Sequence, residues 1–154
     1  MQDKPGQALK PQSFGMAHQV GDHNYYSITR KLIMNGDLNA AGKLFGGRLM
    51  EWVDEAAGLF CMTVIGTRQI VTKKISEVIF NEPAHLGDVL ELMLRIKNLG
   101  NSSVTVECLV MTKVIAPPDT SRLIVQCDLV FVAIDRNGRP SPHGFRIDKE
   151  TGPL

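Results

Sequence analysis

Between Asn39 and Ile65 the chain reads NAAGKLFGGRLMEWVDEAAGLFCMTVI, and this stretch holds the residues best suited to chemistry. Asp54 stands next to Val53 and close to the small pair Ala56-Ala57, an odd place for a carboxylate in a segment otherwise made for a core. Gly46-Gly47 precede it at what reads as a helix mouth. There the free backbone N–H groups carry the positive end of the helix dipole, and the missing side chains let another molecule approach them closely. A carboxylate can take a proton or attack as a nucleophile, and paired N–H groups can polarise a carbonyl oxygen. Each group also has a plainer reading: Asp54 as a solvated acid beside Glu51 and Glu55, the glycines as an aid to close packing. Glu55 is the rival carboxylate, pointing about 100° away from Asp54 around a helix axis.

The element that must carry these groups is a helix starting near Gly46. Leu49, Val53, Ala56, Ala57, Phe60 and Val64 recur at helical spacing and form one apolar stripe, and Gly66 ends the run. Before it, Tyr25 to Met34 reads as a strand closed by the turn residues Asn35-Gly36-Asp37. After it come Ile70 to Phe80, stopped at Asn81-Glu82-Pro83, and Val89 to Lys97. The latter alternates Leu90, Leu92, Leu94 and Ile96 on one face with Val89, Glu91, Met93, Arg95 and Lys97 on the other, the pattern of a half-buried strand. A hairpin turn at Leu99-Gly100-Asn101 leads into Val104 to Ile115, and a loop containing Pro117-Pro118 leads into Leu123 to Ile134. Strand, long helix, then four strands is an α+β order: one central helix wrapped by a curved antiparallel sheet of about five strands. The last strand is apolar on both faces, so one face is expected against the helix and the other against a second subunit.

Length and composition narrow the classes. At 154 residues one domain is expected, set here at 24–138, with a flexible N-terminal tail over 1–23 and an extended C-terminal tail over 139–154. Lys+Arg 17 against Asp+Glu 16 leaves a net charge of +1, so no global field draws the protein to nucleic acid or to an anionic membrane. The three cysteines, Cys61, Cys108 and Cys127, lie in apolar surroundings without metal-ligand spacing and fit a reducing, cytoplasmic setting. His18, His23, His85 and His143 are scattered and are assigned to neither catalysis nor metal. No apolar run is long enough to span a bilayer, and the N-terminal residues do not read as a signal peptide.

With these residues in view, the chain resembles the hotdog-fold acyl-CoA thioesterases of the acyl-CoA hydrolase branch, from about Arg30 to Gly138. The most specific part is Asn39-x-x-Gly42-x-x-Phe45-Gly46-Gly47-x-x-Met50-x-x-x-Asp54-x-Ala56, in which the family places its catalytic Asn and Asp fifteen positions apart. Val71-Thr72, Phe80-x-x-Pro83 with Gly87-Asp88, Gly100-x-Ser102-Ser103, and Phe131-Val132-Ala133 with Asp135-x-x-Gly138 agree with it in order and spacing. The resemblance implies a helix wrapped by an antiparallel sheet, dimers joined edge to edge, assembly into tetramers or hexamers, and hydrolysis of fatty acyl-CoA to free fatty acid and CoA. The pattern departs at Asn101, where many relatives have an arginine, and at Lys73-Lys74, on strand positions that are often small or apolar.

On that reading Asp54 is general base or nucleophile, Asn39 orients water or thioester, and the Gly46 and Gly47 N–H groups receive the oxyanion. Asn39 also has a plainer reading as a turn or helix-capping residue, but its distance to Asp54 favours function. Asp54 lies roughly 12 Å along the helix from Gly46, so the two are expected to meet across a two-fold dimer rather than within one chain, leaving the monomer inactive. Gly100, Ser102, Ser103, Lys73, Lys74 and Arg136 are the candidates for holding CoA, with Arg95, Lys97 and Arg139 as further phosphate clamps. No metal and no cofactor beyond the substrate's own CoA is expected. A hydratase of the same fold is the first rival, but it would need a histidine in the helix region and none lies between Asn39 and Ile65. A non-catalytic acyl-CoA-binding module is the second.

Overall fold

Phe45 leaves the extended loop as the helix cap, and the helix α1 then runs Gly46–Ile65. It stops at Gly66, whose left-handed backbone (φ 69°) lets its N–H return to the Met62 carbonyl. Glycine adopts this geometry without the Cβ penalty, so the stop is written into the residue type. The expected stripe is the buried one: Leu49, Val53, Ala56, Ala57, Phe60 and Val64 are all at most 2% exposed, and Trp52, Cys61 and Ile65 join them. The computed structural model describes residues 16–146. Within them the strands are β1 (Ala17–Val20), β2 (His23–Leu32), β3 (Ile70–Phe80), β4 (Val89–Leu99), β5 (Ser103–Thr112) and β6 (Leu123–Ala133).

All six strands pair antiparallel in one sheet of order β1-β2-β4-β5-β6-β3, and α1 touches β2 through β6. This is the helix wrapped by a sheet that the sequence implies, with six strands in place of about five. The extra one is β1, which falls inside the span read as a tail. Tyr25 and Tyr26 are buried, and the preceding residues complete a hairpin onto them through Tyr26↔Ala17 and Tyr25↔His18 pairing. Residues 1–15 of that tail, and 147–154 of the C-terminal one, lie outside the described residues. β3 is the other edge, bonded to β6 alone and exposed along nearly its whole length.

The concave side of the sheet behaves as its alternation predicts, with Leu90, Leu92, Leu94 and Ile96 of β4 closed against the helix. The convex side does not. Glu91 and Met93 are only 5% and 4% exposed, so β4 is buried on both faces rather than half-buried. Charge pairing makes this tolerable: Glu91 accepts from Arg30 Nη2 at 2.8 Å and Ser27 Oγ at 2.8 Å, and Glu107 from Tyr25 Oη at 2.7 Å and Arg95 Nε at 2.6 Å. Burial alone pushes both carboxyls up, but these hydrogen bonds and the cations behind them hold each below the usual carboxylate range. No helix among the described residues is long and apolar enough to cross a membrane.

Candidate functional site

Asn39 opens a tight loop before the helix. Its N–H donates to the Lys43 carbonyl at 2.8 Å, and its side-chain Oδ1 accepts from the N–H groups of Ala41 (2.9 Å) and Lys43 (3.2 Å). The residue is therefore a turn-former, as its plainer reading held. That role consumes only the oxygen of the amide and fixes which way the amide points, leaving the NH2 as its donor. Asn39 and Gly46 line one cavity of about 290 Å³ together with Leu49, Phe80 and Ala84. No side chain caps the start of α1. The two glycines differ in why they are glycine. At Gly47 a Cβ would lie 2.7 Å from Phe45 Cε1, whereas at Gly46 it would make ordinary contact with the Phe80 ring at 3.5 Å. The Phe45 ring thus folds back over the first turn, and residue 46 is the one that faces the cavity.

Asp54 is two turns further on and does not line that cavity. It is half-buried, where Glu51 and Glu55 are exposed, because it faces β3, where Thr72 Oγ donates to its Oδ1 at 2.8 Å. Glu55, the rival carboxylate, instead approaches Lys31 at 3.8 Å. Thr72 is the site residue that the sequence reading missed. It appeared only within a matching segment, and the pairing of a helix residue with a strand residue eighteen positions later has no periodic signature.

The CoA candidates divide. Lys73, Lys74, Ser102 and Ser103 line a second cavity of about 390 Å³ whose floor is Val130 and Val132 of β6. Two consecutive strand residues would normally point to opposite faces. Here the β3/β6 register shifts between Thr72 and Lys74, and that bulge brings both lysines to the same cavity. Gly100 does not line it but closes the turn beside it, its N–H bonding the Ser103 carbonyl at 2.8 Å; a side chain there would run into Ser103 Oγ. Arg136 sits in the exposed Asp135–Gly138 turn, which the Gly138 N–H closes onto the Asp135 carbonyl, and it lines neither cavity. Arg95 and Lys97 are spent on Glu107 and Asp128. All three cysteines are buried and free, and burial pushes the Cys61 thiol up to about 12, far from a nucleophile's range.

Residues 41–116 match the family model of the thioesterase superfamily. The chain is 30% identical over 115 residues to the acyl-CoA thioester hydrolase YciA of Escherichia coli, a match covering 73% of this chain and 86% of that one. Among solved structures it is similar to the hexameric thioesterase of Yersinia pestis, with TM-score 0.71, 28% identity, and coverage of 78% of this chain and 96% of the other. The acyl-CoA hydrolase of Staphylococcus aureus, solved with butyryl coenzyme A, coenzyme A and coenzyme A disulfide, gives TM-score 0.70 and 28% identity over 79% of this chain and 75% of that one.

Proposed function

We propose, from the premise that this chain belongs to the acyl-CoA thioester hydrolases of the thioesterase superfamily, that it hydrolyses acyl-CoA to a carboxylic acid and CoA at sites shared between two copies. The observation that carries the mechanism is the setting of Asp54: half-buried, steadied by Thr72 through one oxygen, and separated from the glycine mouth of its own helix. A second copy supplies the missing half. The exposed edge β3 carries Val71, Ile75, Val78, Ile79 and Phe80 uncovered, an apolar, unpaired strand that a second β3 can satisfy. Dimers formed this way and assembled further are the expected state in solution, and the similar Yersinia pestis thioesterase is a hexamer.

In the shared site the thioester oxygen lies against the Gly46 and Gly47 N–H groups of one copy, where the helix dipole favours the developing charge. Asn39 donates its amide NH2 to the water or the thioester. Asp54 of the other copy either removes a proton from water as that oxygen attacks, or attacks through its own Oδ2 to form an anhydride that water then opens. In both routes the C–S bond breaks when the tetrahedral intermediate collapses, and the departing thiolate takes its proton from Asp54 in the first route and from water in the second. The nucleotide end of CoA is assigned to the cavity of Lys73, Lys74, Ser102 and Ser103, whose cations and hydroxyls suit phosphate. The buried free thiols suit a reducing compartment, and the cytoplasm is the proposed location.

Release of free thiol from a panel of acyl-CoAs tests the proposal, with Asp54→Ala as control. Turnover that disappears in the variant supports it; acyl-CoA binding with no thiol release from the unaltered protein establishes a non-catalytic binding module instead. A single turnover in labelled water, with the label then traced in the Asp54 peptide, separates nucleophile from base.

A further inference from the structure

The chain after β6 turns back across the end of the sheet, and nothing in the proposed reaction uses it. Pro140 bridges to Ile134, and the Ser141 N–H donates to the Ala133 carbonyl at 2.9 Å. The His143 N–H donates to the Asn101 carbonyl at 3.2 Å, while its ring Nε2 lies 3.3 Å from the Ser103 carbonyl oxygen. Gly144, at φ +70°, reverses the chain so that the Phe145 N–H reaches back to His143 Nδ1 at 3.1 Å. Phe145 then packs against the main core.

These two ring contacts choose a single form of the imidazole. An N–H donor at Nδ1 requires a lone pair there, so the ring hydrogen is on Nε2, the nitrogen that faces the Ser103 carbonyl and donates to it. The opposite neutral tautomer would set a lone pair against that carbonyl oxygen and an N–H against the Phe145 N–H. Ser103 O thus receives two donors, the Gly100 N–H that closes the hairpin turn and the His143 ring that ties the turn to the C-terminal segment. Both tied parts are walls of the second cavity: Ser102 and Ser103 from the turn, Pro140 from the segment.

We propose that His143 is a positioning residue for CoA, holding the Gly100–Ser103 turn and the Pro140 segment as one preformed wall of the lysine-lined cavity. The inference rests on the assignment of that cavity to CoA. Its signature is a rise in KM and in the Kd of free CoA with kcat preserved, because the tie contacts neither Asp54 nor Thr72 and acts only on where the Ser102 and Ser103 groups stand.

The test uses His143→Gln, His143→Asn and His143→Ala in the full-length protein, with thiol release measured across acyl-CoA concentration and CoA binding by calorimetry. A glutamine amide reaches the place of Nε2 and keeps the bond to Ser103, whereas an asparagine oxygen reaches only the place of Nδ1. Asn and Ala variants are expected to raise KM and Kd about fivefold, the scale of one neutral hydrogen bond, with kcat within about twofold and Gln close to the parent protein. Equal behaviour of all three variants, or a fall in kcat matching any rise in KM, overturns the proposal. Nitrogen-15 shifts of the His143 ring in the unaltered protein give a mutation-free check: the Nε2–H tautomer is expected, and the Nδ1–H tautomer overturns it. Lys73→Ala and Lys74→Ala separate the two levels of argument. If they leave CoA affinity unchanged, the cavity assignment fails; if they weaken it while the His143 variants do not, the tie alone fails.

Discussion

Around Gly46 the groups on offer are backbone donors, walled in by the Asn39 loop and the folded-back ring of Phe45, whereas two turns along the same helix one side chain, Asp54, faces an open strand edge and is steadied by Thr72. The two halves are built on opposite principles. A backbone N–H is placed by whatever packs around it, so the mouth of α1 is sensitive to added bulk and indifferent to side-chain charge. Asp54 depends on its charge and on one hydrogen bond, and its surroundings leave room for change because β3 is exposed. A helix that needed only to fill the core would have neither feature, and the apolar stripe on its other side performs that task without them.

This contrast can be tested from both sides. The largest effect is expected from Asp54→Asn, which keeps the shape and removes the base or nucleophile: kcat should fall about a thousandfold, with thermal stability and CoA binding nearly unchanged. Thiol release, a melting curve and calorimetry check this, and retention of even a tenth of the activity would remove Asp54 from the reaction. Gly47→Val should lower kcat about a hundredfold by pushing Phe45 across the donors, with charge untouched. Mixing the two defective chains under conditions that let subunits exchange sharpens the comparison further. If each site takes its mouth from one copy and its acid from the other, random pairing restores activity to about a quarter of sites, whereas sites contained in one chain restore none. Thr72→Val should cost about tenfold in kcat by freeing the Asp54 carboxylate, with recovery in Thr72→Ser, which returns the hydroxyl. The smallest effect belongs to Lys73→Ala and Lys74→Ala, each raising KM a few-fold in a salt-dependent way and leaving kcat intact.

The helix was legible because its information is local. Leu49, Val53, Phe60 and Val64 announce a buried stripe by spacing, and Gly66 announces the stop by its freedom to turn left-handed. The same locality misled on β4, where Glu91 looked solvent-facing although Arg30 and Ser27 of β2 and Lys113 of the loop after β5 enclose it. It also misled on residues 17–20, whose polar and apolar residues carry little signal until the buried tyrosines of β2 give them a strand to pair with.

By itself the sequence determined the order of helix and strands from β2 onward, the buried face of α1, and the chemical types at Asn39, Gly46 and Asp54, since residue type, spacing and turn propensity act over a few neighbours. Only the tertiary structure decided that Thr72 steadies Asp54, that a bulge turns Lys73 and Lys74 into one cavity, and that His143 ties the C-terminal segment to Ser103. Those contacts join residues eighteen to fifty-nine positions apart. Their partners are set by strand register and by the packing of the helix on the sheet, which exist only once the chain has closed on itself.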